Sequence, residues 1–154
     1  MLLEQIKKDL IGYIKSGDKS KISITRLLLA ALKDKEISLK NSQDFDELIE
    51  DNIVMEIINK MIKQRKIAAK TYLEANRVDL AEKEELEAKI LANYLPMQLS
   101  EGELNLEIEK LINKLKASSF RDMSKVMKSL KENFSGKCDF QLASAMVKKK
   151  LSGK

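Results

Sequence analysis

Two observations predict an all-α fold for this sequence. Glycine (5) and proline (1) are scarce and aromatic residues make up only 5%. The turn formers and aromatic strands of a β-rich domain are therefore both in short supply. Apolar residues also recur at helical spacing along most of the chain. The expected architecture is a four-helix-type N-terminal domain, residues 1–95, followed by a small three-helix C-terminal domain, residues 96–154. A chain of 154 residues buries about 68–70% of its unfolded surface and needs neither disulfides nor a structural metal.

The elements follow in order. Leu2, Leu3, Ile6, Leu10, Tyr13 and Ile14 share a helical stripe, and Gly17 is a suitable stop. A second helix is expected over about 20–38. Its middle, Ile22 to Leu32, is apolar nearly all round, the mark of a helix surrounded by others. The polar segment 39–45 reads as a loop. Asp44 with Glu47 is placed to cap a long third helix ending near Ala75, where Asn76 can adopt the left-handed conformation. Asp79 with Glu82 is placed to cap a fourth helix reaching Asn93. The single proline, Pro96, stops that helix, and Ser100 with Glu103 forms a capping box for the next. Residues 95–99 are thus the expected domain boundary. Three shorter helices follow, over about 101–116, 122–133 and 139–150. Their apolar positions are Leu104, Ile108, Leu111, Ile112 and Leu115; Met123, Val126, Met127 and Leu130; and Leu142, Met146 and Val147. Asp139 is a suitable N-cap for the last.

Composition excludes several chemistries. The chain has no histidine, which removes Ser-His-Asp and Cys-His catalysis and His-ligated zinc. One cysteine, Cys138, makes neither an internal disulfide nor a zinc cluster. The sequence calls for no cofactor and no metal. No apolar run approaches the ~18 residues of a membrane span, and MLLEQIKKDLIGYIK at the N-terminus lacks a signal-peptide pattern. The expectation is a soluble cytoplasmic protein.

The net charge of +5 is unevenly placed. Residues 1–97 carry 17 basic and 17 acidic side chains, whereas from Lys110 onward 12 basic residues face only Asp122, Glu132 and Asp139. Such a basic segment is attracted to polyanions; the competing reading is a set of lysine-rich helices that are merely well solvated. Lys125 and Lys128, three residues apart, share one face of the sixth helix, opposite Met123, Val126, Met127 and Leu130. Lys114 and Lys116 end the fifth helix and Lys148, Lys149 and Lys150 the seventh, where lysine also suits the helix dipole. These seven are the candidate phosphate contacts.

Other candidates weigh less. GYIKSGDKS (12–20) approximates a phosphate-binding loop, but Asp18 interrupts it and no strand precedes it, so a helix-ending Gly17 is preferred. The acidic run Asp79, Glu82, Glu84, Glu85 and Glu87 reads as a solvated helix face alternating with Lys83 and Lys89. Arg65 falls within an apolar arc of Val54, Ile58, Met61, Ala68, Ala69 and Tyr72. A cation directed inward there must be paired or left at a wet crevice; burial against a carboxylate, with Glu36 as the leading partner, is the expectation. Cys138 reads as inert, and Met123, Met127 and Met146 as core residues rather than a peptide-binding groove.

Several segments together resemble the YqeY-like proteins: RLLLAALKDKE (26–36), IKQRKIAAKTY (62–72), NRVDLAEKEELE (76–87), YLPMQLSEGEL (94–104), DMSKVMKSL (122–130) and SGKCD (135–139). They occur in the family's order and span nearly the whole chain. Ser124 stands where the family usually has glycine, and Cys138 and Phe140 occupy a turn that is commonly Ala-Asp-Gly. The family shares a helical region with the C-terminal tail of the B subunit of glutamine-dependent tRNA amidotransferase. The resemblance implies a tRNA-binding or accessory module without the catalytic portions of that enzyme. Its other implied roles are an adaptor docking on an amidotransferase or another translation component, and, from the family label alone, a carbon–nitrogen ligase with glutamine as amide donor.

Overall fold

The computed structural model describes residues 1–40 and 49–153, and among these it contains seven α-helices and no strand. They are α1 (Leu2–Ser16), α2 (Lys19–Lys40), α3 (Asp51–Glu74), α4 (Val78–Ala92), α5 (Glu101–Leu115), α6 (Met123–Asn133) and α7 (Phe140–Ser152), with a 3-10 turn at Phe120–Asp122. None of the described helices is long and apolar enough to cross a membrane. The chain divides into two compact units, Met1–Leu95 and Pro96–Lys154.

In the first unit, α1 to α4 close around Ile6, Ile24, Leu28, Leu32, Val54 and Ile58, all essentially inaccessible. Gly17 takes the left-handed conformation after α1, with its own N–H on Ile14 O and that of Asp18 on Tyr13 O. Asn76 does the same after α3, where the N–H of Arg77 reaches Tyr72 O at 2.8 Å. Both are double-bonded helix ends that reverse the chain within a few residues. The hydroxyls of Tyr13 and Tyr94 meet at 3.5 Å and tie α1 to the end of α4. Burial, then hydrogen bonding to Tyr13 and Asp9, raises the Tyr94 phenol far above its ordinary range.

Three expectations are corrected here. α2 is not enclosed on all sides: Ile24, Leu28 and Leu32 are buried, but Leu27 and Ile37 on its far side are exposed. α1, α3 and α4 cover one side of a 22-residue helix and leave the rest to solvent. Ile14 likewise points away from the core. Asp79 is not the cap of α4. It lies in the first turn, and both its oxygens accept from Arg77, at 3.1 and 3.0 Å, so the guanidinium takes the carboxylate that would otherwise cap backbone N–H groups. The cap expected at Asp44 and Glu47 lies outside the described residues, and α3 begins at Asp51.

The second unit packs α5, α6 and α7 around Leu104, Ile108, Val126, Leu130, Ala143 and Val147. Its helix starts use local hydrogen bonds. The Ser100 hydroxyl accepts from Glu103 N at 3.2 Å while Glu103 accepts from Ser100 N at 2.8 Å, the reciprocal box. Asp122 accepts from Ser118 N and Ser119 N ahead of α6. Asp139 accepts from Gln141 N at the start of α7. The strand of chain entering α5 is stitched to the α6–α7 turn: Leu99 N donates to Lys137 O at 2.8 Å and the Gln98 side chain donates to Gly136 O. Leu142 is exposed, contrary to expectation, because α7 presents Ala143, Val147 and Leu151 to the core instead.

Between the helices, Met97 is 91% exposed, and Pro96 and Gln98 are also on the surface. Limited proteolysis with a broad-specificity protease is expected to cut at 96–98 before any bond within 105–115, because exposed segments open most easily. First cleavage inside α5 would show that this reading of local stability is wrong.

Candidate functional site

Two sets of charged residues stand out, one in each unit. In the second, α6 turns Val126 and Leu130 wholly inward, with Met123 and Met127 partly covered beside them. Burying the two aliphatic side chains contributes about 1.5–3 kcal/mol each, which holds the helix in one rotation about its axis. Lys125 and Lys128 are consequently exposed on the opposite side. Lys125 faces Asp122, whose carboxyl is held low chiefly by the Ser118 and Ser119 N–H groups. Among the described residues Lys128 makes no ion pair.

The terminal lysines are placed unequally. Lys114 is exposed in the last turn of α5. Lys116 follows at φ 52, a left-handed conformation usually given to glycine, stabilised by the bond from Ala117 N to Ile112 O. Lys148 and Lys149 are exposed near the end of α7. Lys150 is different: it is largely covered and bound to Glu109 at 2.7 Å, which ties α7 to α5. Among the basic residues not singled out from the sequence, Arg121 and Lys131 are both exposed near this face. Their signal was spacing, since they lie four residues before Lys125 and three after Lys128.

The other set is at Arg65, in the α3–α4 hairpin. Its side chain is 18% exposed, and Nε donates to Glu87 at 3.0 Å, with a Glu84 oxygen 3.8 Å away. Glu87 is 8% exposed at its side chain. Ala69, Ala81 and Ala88 are buried around the same hairpin, small enough to let the two helices approach. The expected partner, Glu36, is corrected: it binds Lys33 and Lys40, each at 2.9 Å, along its own helix. Those two lysines, Lys40 first, bring its carboxyl down to about 2. The α4 run read as a solvated face is corrected with it, because Glu84 and Glu87 turn inward to meet Arg65. Their position three residues apart, on the side of α4 that carries Ala81, Ala88 and Leu91, was the available clue.

Removing Arg65 strands a carboxylate at depth. Arg65→Ala is expected to cost roughly 3 kcal/mol, the range for breaking a buried pair by deleting one partner. A combined Arg65→Met/Glu87→Leu change should recover most of it, since both charges leave together. Denaturant unfolding of the three proteins checks this; an Arg65→Ala protein as stable as wild type would contradict it.

Cys138 is buried in the second core, and its burial, with Asp139 next to it, pushes the thiol up to about 11. A thiol so placed stays protonated at neutral pH and is no nucleophile. Thiol-specific reagents should label it at pH 7 only when the protein is unfolded, and rapid labelling of the native chain would refute the assignment.

Comparison with known proteins adds the lineage. The chain is similar to the protein named "Altered inheritance of mitochondria protein 41, mitochondrial" from three yeasts. It is 38% identical to that of Vanderwaltozyma polyspora over 113 residues, 72% of this chain and 58% of the relative. For Lachancea thermotolerans the identity is 34% over 116 residues, 74% of this chain and 59% of the relative. For Kluyveromyces lactis it is 33% over 116 residues, 73% and 60%. The chain thus spans about three-fifths of the length of these relatives. Their names place those proteins in mitochondria, and so lend the cytoplasmic expectation no support. The sequence profile described as Yqey-like protein matches residues 3–151, which reaches from α1 to α7, and on that ground the chain belongs to the YqeY-like family.

Proposed function

We propose that this protein is a non-catalytic accessory module that binds tRNA or another structured RNA through the lysines of its second unit. The observation that carries the reading is the exposure of Lys125 and Lys128 on the face of α6 opposite a fully buried stripe. Mid-helix lysines gain little from the helix dipole, so their placement needs another reason. Two of the three acids beyond Lys110, Asp122 and Asp139, are engaged by backbone N–H groups at helix starts. That leaves the lysine surplus available to an outside anion. Lys114, Lys116, Lys148 and Lys149 extend it, whereas Lys150 contributes only if it leaves Glu109.

Lysines on helices contact phosphates rather than base edges, so the binding is shape-guided and weakly sequence-specific. The resemblance to the amidotransferase tail points to tRNA as the first RNA to try, in whichever compartment holds it. A ligase activity of the chain itself has little chemical support, since it has no histidine and its one thiol is buried and protonated.

The test is titration of tRNA with wild type and with Lys125→Glu/Lys128→Glu across a salt series, folding being verified by circular dichroism. Each lost phosphate contact should lower the slope of log affinity against log salt by about 0.7–0.9. If both proteins bind alike, or neither binds at low salt, the RNA reading falls and docking on an amidotransferase or another translation protein replaces it.

A further inference from the structure

A second surface of distinct chemistry lies in the first unit, independent of the lysine face. Where the end of α1 meets the start of α2, Ile14, Lys19, Ile22, Ser23, Arg26 and Leu27 line an open groove of about 620 Å³. Its apolar residues are exposed well beyond what a covered core allows: Ile14 and Leu27 are each 49% accessible. Ile11, one turn before Ile14 on α1, is exposed as well and lengthens the apolar strip. The strip is the kind of floor that takes the i, i+3/i+4, i+7 anchors of one amphipathic helix.

The charges along it select the occupant. Of the cations at this end of α2, Lys21 is already neutralised: it sits 3.2 Å from Asp18 and over the Tyr13 ring at 5.4 Å. Lys19 and Arg26 belong to the groove itself, and among the described residues neither makes an ion pair. The lining includes no acidic residue. An apolar floor bordered by two uncompensated cations complements an apolar stripe flanked by carboxylates.

We infer that this groove docks an acidic amphipathic helix of a partner protein, with leucine-type anchors on Ile14, Ile22 and Leu27 and carboxylates at Lys19 and Arg26. The apolar contacts supply most of the affinity and the two cations supply orientation and selectivity. A lysine-flanked helix of the same apolar pattern is rejected, because it would set like charges against Arg26.

The probe is a designed helical peptide of about 15 residues with leucine at the anchor positions and glutamate on both flanks, beside a twin with lysine for glutamate. Fluorescence anisotropy measures each against the full chain and against Arg26→Glu and Leu27→Asp, both surface changes, with helicity checked. The glutamate peptide should bind wild type more tightly than its twin. Arg26→Glu should weaken it by roughly fivefold and improve the lysine peptide. Leu27→Asp should weaken both by about tenfold. Equal binding of the two peptides, no binding of either, or indifference to Arg26→Glu would overturn the inference. So would sedimentation showing a self-associated wild type that Leu27→Asp dissociates, which assigns the groove to a second copy. Loss of tRNA binding in Arg26→Glu without an effect on the peptides would assign it to nucleic acid.

Discussion

Glu87 keeps only 8% of its side chain in contact with solvent, and a carboxylate at that depth is tolerable because Arg65 donates to it at 3.0 Å. Neither charge is stable there alone, so α3 and α4 must stay in one register for both to be satisfied. Ala69, Ala81 and Ala88 are buried and small; such side chains let helices come close without specifying which residues face each other. The ion pair supplies that specification. α1 and α2 pack against the same hairpin, and Tyr94 at its end meets Tyr13.

The second unit is organised on a different principle. It has no buried ion pair of this kind among its described residues; α5 and α7 start at Ser100 and Asp139, which accept from backbone N–H groups, and Asp122 accepts from Ser118 N and Ser119 N at the 3-10 turn before α6. Asp122 and Asp139 lie at helix starts, where an acid favours the dipole. Stability and a basic surface are therefore compatible in a unit of 59 residues.

Exposed apolar residues fall into two kinds. Leu142 and Leu106 stand singly on their helices and call for no explanation. Ile14, Ile22 and Leu27 gather along one groove beside two cations without an ion pair, and that conjunction gives the first unit a surface distinct in chemistry from the second. The two surfaces thus differ in kind, one a lysine face and the other an apolar groove edged by cations.

What the sequence by itself determined is what local rules control. The scarcity of glycine and proline and the 3.6-residue periodicity were sufficient for an all-α fold. Gly17, Asn76, Ser100 with Glu103, and Asp139 end or begin helices through bonds within a few residues of themselves, so their roles were legible. The stripe of Val126 and Leu130, and with it the exposure of Lys125 and Lys128, follows from spacing alone. Only the tertiary structure decided pairings across helices. Arg65 was recognisably a cation on an apolar arc, yet any of the thirteen acids from Glu36 to Glu87 could have answered it as readily on the page, and the choice of Glu87 depends on how α4 rotates against α3. Leu27 looked like core for the same reason: periodicity marks a residue as apolar, but which side of α2 is covered depends on how many helices surround it.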